Sequence, residues 1–271
     1  MMKFDLSNVE WSRTDIKQGI WVPEYLTEEL AYLLGFHIGD GYMKIKRRGT
    51  TTDYTINYDG HQINEKQWYH EYLKPFIKEL FNKDVSVAES TRGTVRIVFY
   101  SKAIVTFLNK CCDLEFSPKY DVDIPGIIKE TTENFQVSFL RGLADTDFSL
   151  SFTKNGKYPR IEHTTRSQNL HESLLVLLRN FGFQLYHITR ETRRNGVPHT
   201  IHIIQISGKA ALNKWMKKVG FESYNTLTRY LVWKETGHLM SGTDINDRIK
   251  ILKERGKELP PTLRPEPGSN W

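Results

Sequence analysis

One short element occurs twice in this chain, and this repetition constrains the fold more than any other feature of the sequence. The first copy is Leu33–Gly41, LLGFHIGDG, and the second is Leu140–Phe148, LRGLADTDF. Each copy is a largely apolar run that delivers an aspartate, and Asp40 and Asp147 lie 107 residues apart. An internal period of this length predicts a chain built from two similar halves.

Each copy is expected to form the last turns of a helix. Gly35 and Gly39 are four residues apart, as are Gly142 and Thr146, so each pair of small residues shares one helix face. Small residues on such a face let another helix approach backbone to backbone. If the two helices pack through these faces, their carboxyl ends meet and bring the two aspartates together.

The segments after each motif follow the same order of elements. Alternation of apolar and polar residues predicts hairpins, and apolar residues at helical spacing predict the helices between them. The predicted strands are 42–48, 53–58, 84–90, 94–100, 148–153, 160–165, 183–191 and 200–207. The predicted helices after the first motif are 64–82 (kinked at Pro75), 101–111, 134–146, 167–181, 208–218, 224–236 and 244–255.

The fold class that follows is α+β, with two pseudo-symmetric αββαββα repeats. We divide the chain into a leader at 1–24, a first repeat at 25–120, a linker at 121–133, a second repeat at 134–237 and a charged tail at 238–271. The chain is basic, with a net charge of +6 and a pI near 9.1, which favours an anionic partner. No stretch has the length or apolar character of a membrane span, so we expect an intracellular protein without membrane association.

Two carboxylates held close together are suited to a hard divalent cation. Mg²⁺ takes oxygen ligands and commonly combines one or two carboxylates with water and phosphate oxygens. The chemistry that such a site supports is hydrolysis of a phosphodiester. A solvated aspartate at the end of a helix is the alternative for either copy alone, but its repetition in matching context favours the metal site.

The two motifs resemble the paired signature helices of the LAGLIDADG homing endonucleases. The resemblance extends over nearly all of residues 26–237 and is to the monomeric, two-repeat form of the family. It implies that each repeat carries a four-stranded antiparallel sheet and that the two sheets form a saddle over duplex DNA. It also implies a Mg²⁺- or Mn²⁺-dependent cut through both strands with short 3′ overhangs. A double-stranded target of about 20 base pairs is a further implication. The sequence has no convincing intein splice junctions, so we expect an intron-encoded or free-standing origin.

The resemblance assigns roles to residues that match the family pattern. Asp40 and Asp147 would bind the metal through their carboxylates, and Gly39 and Thr146 through backbone carbonyls. Lys119, after the last helix of the first repeat, would polarise water or stabilise charge, and Asn225 stands at the corresponding place in the second repeat. Two further residues, Gln62 and Lys66, match positions that arrange water near the scissile phosphate.

Two positions depart from the family pattern. Phe148 stands where the first copy has Gly41, and since phenylalanine adopts unusual backbone conformations less readily, the second hairpin is expected to start differently. Asn225 can only hydrogen-bond where Lys119 carries a charge. The two DNA strands are therefore expected to be cut at unequal rates if both sites matter.

The sheets offer the surface on which DNA would lie, because β-ribbons can reach base edges in the major groove and basic side chains bind phosphates. The residues predicted to contact DNA are Lys44, Lys46, Arg48, Asn57, Arg92, Arg96, Lys154, Lys157, Arg160, His163, Arg166, Arg190, Arg193, Arg194 and His202. Two other functions remain open on the sequence alone. The first is an intron-splicing maturase that binds RNA, and the second is a DNA-binding regulator that kept the fold and lost cleavage.

Overall fold

The computed structural model describes residues 2–194 and 196–257. The helices in this part of the chain are α1 Arg13–Lys17, α2 Glu28–Asp40, α3 Gln62–Trp68, α4 Lys74–Phe81, α5 Lys102–Lys110, α6 Gly126–Lys129, α7 Glu133–Asp147, α8 Thr153–Gly156, α9 Gln168–Asn180, α10 Lys209–Lys218, α11 Tyr224–Thr236 and α12 Ile245–Glu254. The strands are β1 Gly41–Arg48, β2 Thr51–His61, β3 Val87–Glu89, β4 Thr94–Tyr100, β5 Phe148–Phe152, β6 Tyr158–Thr165, β7 Tyr186–Arg194 and β8 Val197–Ser207.

The chain forms two compact units, each with one antiparallel sheet of four strands. The first unit holds residues up to 119 together with 125–143, and its sheet has the order β1-β2-β4-β3. The second holds residues 120–124 together with those from 144 onwards, and its sheet has the order β5-β6-β8-β7. The predicted α+β class with two four-stranded antiparallel sheets is therefore confirmed.

Each sheet has one side packed on helices and one outward side. In β4 the residues at odd numbers from Val95 to Phe99 are buried, and those between them are exposed, as expected for a strand with one buried face. On the helix side of the first sheet, the ring of Tyr58 lies 5.2 Å from that of Phe36 of α2. On the helix side of the second sheet, the ring of Trp215 of α10 lies 5.4 Å from that of Phe148.

Helix α2 begins where the sequence offers a cap and acidic residues. The Thr27 hydroxyl accepts the backbone N–H of Leu30 at 3.1 Å, and Glu28 and Glu29 occupy the first turn, where carboxylates complement the helix dipole. From Leu30 to Ile38 every residue of α2 is buried. The helix is thus apolar all round, which is typical of a helix at the centre of its unit.

Helix α2 packs against the part of α7 that belongs to the same unit, and two glycines form the contact. A Cβ atom added to Gly35 would lie 1.9 Å from the carbonyl oxygen of Phe139. A Cβ added to Gly142 would lie equally close to the carbonyl oxygen of Tyr32. The backbones touch here because neither glycine has a side chain, as predicted for Gly35 and Gly142 from their spacing.

Most predicted elements lie within a few residues of their predicted bounds, but two differ in form. The predicted helix over 64–82 is divided into α3 and α4 by a π-helical turn at Tyr69–Leu73, directly before Pro75. The predicted strand at 84–90 is shortened to Val87–Glu89 at the edge of its sheet. Among the described residues, no helix combines the length and the apolar character needed to cross a membrane.

Candidate metal-binding and DNA-binding site

Both motif aspartates are the last residues of their helices, and each is followed at once by the first strand of a sheet. Asp40 ends α2 and Gly41 begins β1, while Asp147 ends α7 and Phe148 begins β5. Both aspartates are exposed, although the residues around them are largely buried. Each carboxylate therefore lies at a helix C-terminus, where backbone carbonyls and the negative end of the helix dipole already favour a cation.

In the first unit, Lys119 reaches the end of α2. Its Nζ donates hydrogen bonds to the carbonyl oxygens of His37 at 2.6 Å and Ile38 at 2.7 Å, and the carbonyl oxygen of Gly39 lies 3.4 Å away. The loop that carries Lys119 is held to β1, because Ser117 and Met43 exchange two hydrogen bonds. The ammonium group thus lies beside the predicted metal-binding turn and interacts favourably with the C-terminal end of the helix.

His37 is fully buried behind this turn. Its Nδ1 lies 3.1 Å from the hydroxyl of Tyr58. Burial, with a smaller contribution from the Lys119 ammonium, lowers the pKa of His37 to about 3. The imidazole is therefore neutral at ordinary pH, and it serves as packing rather than as a proton carrier.

A glycine is required at position 41 by the nearby atoms of His37 and not by the φ and ψ angles of the position itself. Its φ of −71° and ψ of 138° are ordinary extended values, so a larger residue could adopt them. A Cβ at this position, however, would lie 2.4 Å from the imidazole ring of His37 and 2.5 Å from the carbonyl oxygen of the same residue. The absent side chain of Gly41 leaves the space that the ring occupies.

In the second unit, the large side chain is on the strand and the small one is on the helix. Ala144 stands where α2 has His37, and Phe148 stands where β1 begins with Gly41. Phe148 pairs with His163 as Gly41 pairs with Tyr58, and the rings of Phe148 and His163 are 4.7 Å apart. The expectation that Phe148 would change the start of the second hairpin was wrong, because Phe148 replaces the volume of a histidine and not a special backbone conformation.

The loop of the second unit is held in a different way. Asp145, buried in the last turns of α7, accepts the backbone N–H groups of Glu222 and Ser223 at 3.0 Å. Asn225, in the first turn of α11, accepts a hydrogen bond at Oδ1 from Nη2 of Arg248 at 2.7 Å. The sequence analysis missed Asp145 and Arg248. Asp145 was detectable, since it replaces the apolar Ile38 of the first motif, whereas Arg248 stands in a charged segment without any pattern.

Gln62 and Lys66 contact the edge strand of the first sheet. Gln62 donates to Glu89 at 2.7 Å, and the ammonium of Lys66 lies 2.7 Å from the same carboxylate. Both side chains thus hold Glu89 of β3 in place. Their role in arranging water stays a prediction.

The outward side of the first sheet carries most of the residues predicted to contact DNA in this unit. Lys44, Lys46 and Arg48 alternate with helix-side residues along β1, and the Nζ of Lys44 lies 5.0 Å from the centre of the Tyr42 ring. The outward residues of these strands are Tyr42, Lys44, Lys46, Arg48, Asp53, Thr55, Asn57, Asp59, Arg96, Val98 and Tyr100.

Three of these outward residues form a fixed polar group. Arg96 forms an ion pair with Asp59, with Nη2 at 2.9 Å from the carboxylate, and Asn57 donates to the same carboxylate at 3.0 Å. The carboxylate orients both donors. Asp59 was missed by the sequence analysis because only basic and amide residues were considered as DNA contacts.

The second sheet has a different outward side, and two predictions made for it were wrong. By register, Arg160 and Arg190 lie outward with Glu162, Gln205 and Tyr186. His163 is fully buried on the helix side of β6. His202 is 7% exposed and lies 5.0 Å from the ring of His171 of α9. Neither histidine can reach DNA on the outward side, because strand alternation turns both towards the core.

The other basic residues lie in turns or at strand ends. Exposed side chains at these places are Arg92, Lys154, Lys157, Arg166 and Arg193. Lys154 is in the left-handed region with φ of 51°, and its Nζ lies 4.9 Å from the centre of the Tyr158 ring. The side chain of Arg194 lies outside the described part of the chain.

Comparisons with known proteins agree on one family of folds. Residues 134–220 match a family model described as a LAGLIDADG-like domain. The structure of I-DmoI in complex with DNA and Mn has a TM-score of 0.53 and 18% identity, covering 71% of this chain and 96% of that one. The complex of I-DmoI with DNA and Ca has a TM-score of 0.52 and 19% identity, covering 71% and 88%.

A structure from a study of mesophilic variants of the homing endonuclease I-DmoI has a TM-score of 0.50 and 18% identity, covering 71% of this chain and 95% of that one. A search of curated protein sequences found no match. This chain has the LAGLIDADG fold. The family resemblance and the fold predicted from two short motifs are thus confirmed.

The LAGLIDADG helices α2 and α7 present only oxygen donors at their exposed ends. In the described residues, no group of three histidine, cysteine, aspartate or glutamate side chains is arranged to hold a metal ion. An ion at either helix end would therefore combine one carboxylate with backbone carbonyls, water and oxygens of a substrate. Such a set fits Mg²⁺ or Mn²⁺, which keep several water ligands and accept phosphate oxygens.

Proposed function

We propose that this protein is a site-specific DNA endonuclease of the homing type, dependent on a divalent metal ion. The observation that carries the proposal is the repeated junction in which a helix ends in an exposed aspartate and leads directly into a sheet with a polar outward side. This junction occurs in both units of a LAGLIDADG fold. Duplex DNA on the outward sides of the sheets would bring phosphates towards the ends of the helices.

The residues around each junction have separate tasks in this proposal. Asp40 and Asp147, with the backbone carbonyls of Gly39 and Thr146, would hold the metal ions. A bound divalent ion would activate water and stabilise the leaving oxygen of the phosphodiester. Lys119 would place a positive charge beside the scissile phosphate of one strand.

The sheets bind and orient the substrate. Phosphate contacts by the basic residues would give affinity, and the outward polar residues would read base edges in the major groove. We further propose that the protein acts inside the cell as a monomer on a double-stranded target of about 20 base pairs. The cut would leave short 3′ overhangs, and an intron or a free-standing reading frame would encode the protein.

The test is cleavage of DNA that spans the insertion site of the reading frame, in the presence of Mg²⁺ or Mn²⁺. We expect a double-strand cut by the wild type, and loss of that cut in Asp40→Asn and Asp147→Asn with DNA binding nearly intact. Asp84→Asn is the matched control, because Asp84 is exposed and forms an ion pair with Lys78, away from both motif helices in the sequence.

Two results would contradict the proposal at different points. Normal cutting by either motif variant would show that the assigned carboxylates do not hold the metal. Tight, specific binding without cutting at any metal or temperature would favour the DNA-binding regulator over the endonuclease.

A further inference from the structure

The two units hold the loop beside the motif helix by different chemistry. In the first unit, a lysine of the loop itself donates to the carbonyls at the end of α2. In the second unit, the corresponding loop has no lysine or arginine between Phe221 and Asn225. Instead, Asp145 of α7 fixes the loop backbone, and α11 begins directly after it. The loop of the second unit therefore offers no lysine of its own at the position that corresponds to Lys119.

A buried cation from outside both predicted repeats binds Asn225, the residue that corresponds to Lys119. Arg248 of α12 is completely buried and donates to Thr228 Oγ1 at 3.0 Å, to the carbonyl of Thr243 at 2.8 Å and to Asn225 Oδ1 at 2.7 Å. A buried guanidinium is costly unless it is fully hydrogen-bonded, and these three partners are neutral oxygens. Burial lowers the pKa of Arg248 to about 10, so the group still carries its charge.

The contact with Asn225 has a chemical consequence. Because the guanidinium takes Oδ1, the Nδ2 group of the same amide is fixed on the other side. A cation on the oxygen withdraws electron density from the amide and makes its N–H groups stronger donors, since hydrogen bonds in a chain polarise one another. Asn225 is only two residues from Ser223, which is bonded to the last turns of α7.

We propose that Arg248 is a positioning residue for the second half-site, acting through the side-chain amide of Asn225. In this proposal, Arg248 and Asn225 together supply the polarised donor that Lys119 supplies alone in the first half. Helix α12 is then part of the machinery that acts on one DNA strand, although it lies in the segment predicted as a tail. The proposal rests on the endonuclease function proposed above.

The experiment measures the nicking rate of each strand separately, with the full-length protein, Mg²⁺ and a duplex labelled differently at the two ends. We expect Arg248→Met to slow one strand roughly 10- to 100-fold relative to the other, the usual effect of losing a residue that orients a catalytic group. Asn225→Ala should slow the same strand, and the double variant should be no slower than the slower single variant.

Leu252→Ala is the matched control, because Leu252 is 1% exposed on the same helix and its apolar side chain cannot hydrogen-bond to Asn225. It should lower the melting temperature like Arg248→Met but leave the ratio of the two nicking rates at the wild-type value. All rates are measured well below the melting temperature of each variant. Arg248→Lys, which keeps the positive charge, should bring the ratio of the two nicking rates partway back to the wild-type value.

The outcomes separate the two proposals. A wild type that cuts, together with an Arg248→Met variant that slows both strands equally, would overturn the role of Arg248 and leave the endonuclease intact. The role of Arg248 would also be overturned if Leu252→Ala slowed one strand relative to the other as much as Arg248→Met does. A wild type that cuts no DNA would overturn both.

Discussion

At the scale of single residues, the second motif is less irregular than its sequence indicates. In the sequence, Phe148 at the position of Gly41 indicates that the second hairpin starts with a different backbone conformation. The structure explains the difference by volume, because one unit places a ring on the helix at His37 and the other places a ring on the strand at Phe148. The two halves fill the same region from opposite elements.

This explanation predicts a strong coupling between positions 41 and 37. Gly41→Ala should lower the free energy of unfolding by about 1–3 kcal/mol, the usual cost of forcing an extra group into a packed core. His37→Ala removes the contact with the ring and leaves only the contact with the carbonyl oxygen of residue 37, so adding Gly41→Ala to that variant should cost less than in the wild type. A double-mutant cycle from urea unfolding measures the difference.

Gly126→Ala is the control for this cycle. Its added Cβ would meet no atom closer than 3.9 Å, and its φ lies outside the left-handed range. Its effect on stability should stay within about 0.5 kcal/mol, as for most substitutions at uncrowded surface positions. Equal costs of Gly41→Ala with and without the imidazole would disprove the steric explanation.

At the scale of elements, the layer between α9 and the second sheet is unusual because histidines from four elements lie in it. His171 of α9 lies 5.0 Å from the ring of His202 of β8 and 5.8 Å from that of His187 of β7. His163 of β6 is buried there, and neither of its ring nitrogens has a hydrogen-bond partner among the described residues. Burial, with a smaller effect of His171, lowers the pKa of His163 to about 3.

A lowered histidine pKa makes stability fall with acidification. Below the unfolded-state pKa of about 6.5, the unfolded chain takes up a proton that the folded His163 refuses. The contribution of neutral His163 to the free energy of unfolding is complete above about pH 6.5. It is lost, at about 1.4 kcal/mol per pH unit for one group, as the pH falls towards 3. His163→Leu should reduce the slope of unfolding free energy against pH by about this amount between pH 5 and 6.

Urea unfolding at several pH values measures this slope. Ile161→Val, two residues away on the same strand and equally buried, should lower stability by about 1 kcal/mol at every pH and leave the slope unchanged. A His163→Leu variant with the wild-type slope would show that the buried imidazole is not the group responsible.

At the scale of the whole molecule, the proposed function requires a basic surface that follows the outward sides of the sheets. Lys44 and Lys46 lie on the outward side of β1. Lys44→Ala and Lys46→Ala should each weaken DNA binding and reduce the slope of log affinity against log salt by about 1, since each phosphate contact releases condensed counterions.

Binding titrations at several salt concentrations test this prediction. Lys78→Ala is the matched control, because Lys78 lies on helix α4 and forms an ion pair with Asp84. Its salt slope and affinity should remain those of the wild type. If the control weakens binding as much as the two β1 variants, the DNA surface does not follow the first sheet.

Sequence reasoning reached the fold because its signals are local and repeated. Two motifs, alternating strands and turn residues were sufficient for the fold class and for four strands in each half, and the family resemblance supplied their arrangement in two sheets. It failed where a role depends on long-range contacts, as for Arg248, which meets Asn225 from 23 residues away. It also failed for His163 and His202, because choosing the outward face of a strand requires the register and not only the residue type.

The opposite arrangement of rings in the two halves also limits how such halves can diverge. A half that carries His37 and Gly41 cannot first gain a phenylalanine at position 41, because the new ring would overlap the imidazole. Reducing the histidine to alanine first leaves only a cavity, which weakens the fold but permits it. Stepwise mutation between the two versions therefore passes through an underpacked intermediate. The single variant His37→Ala should still fold, whereas the single variant Gly41→Phe should not.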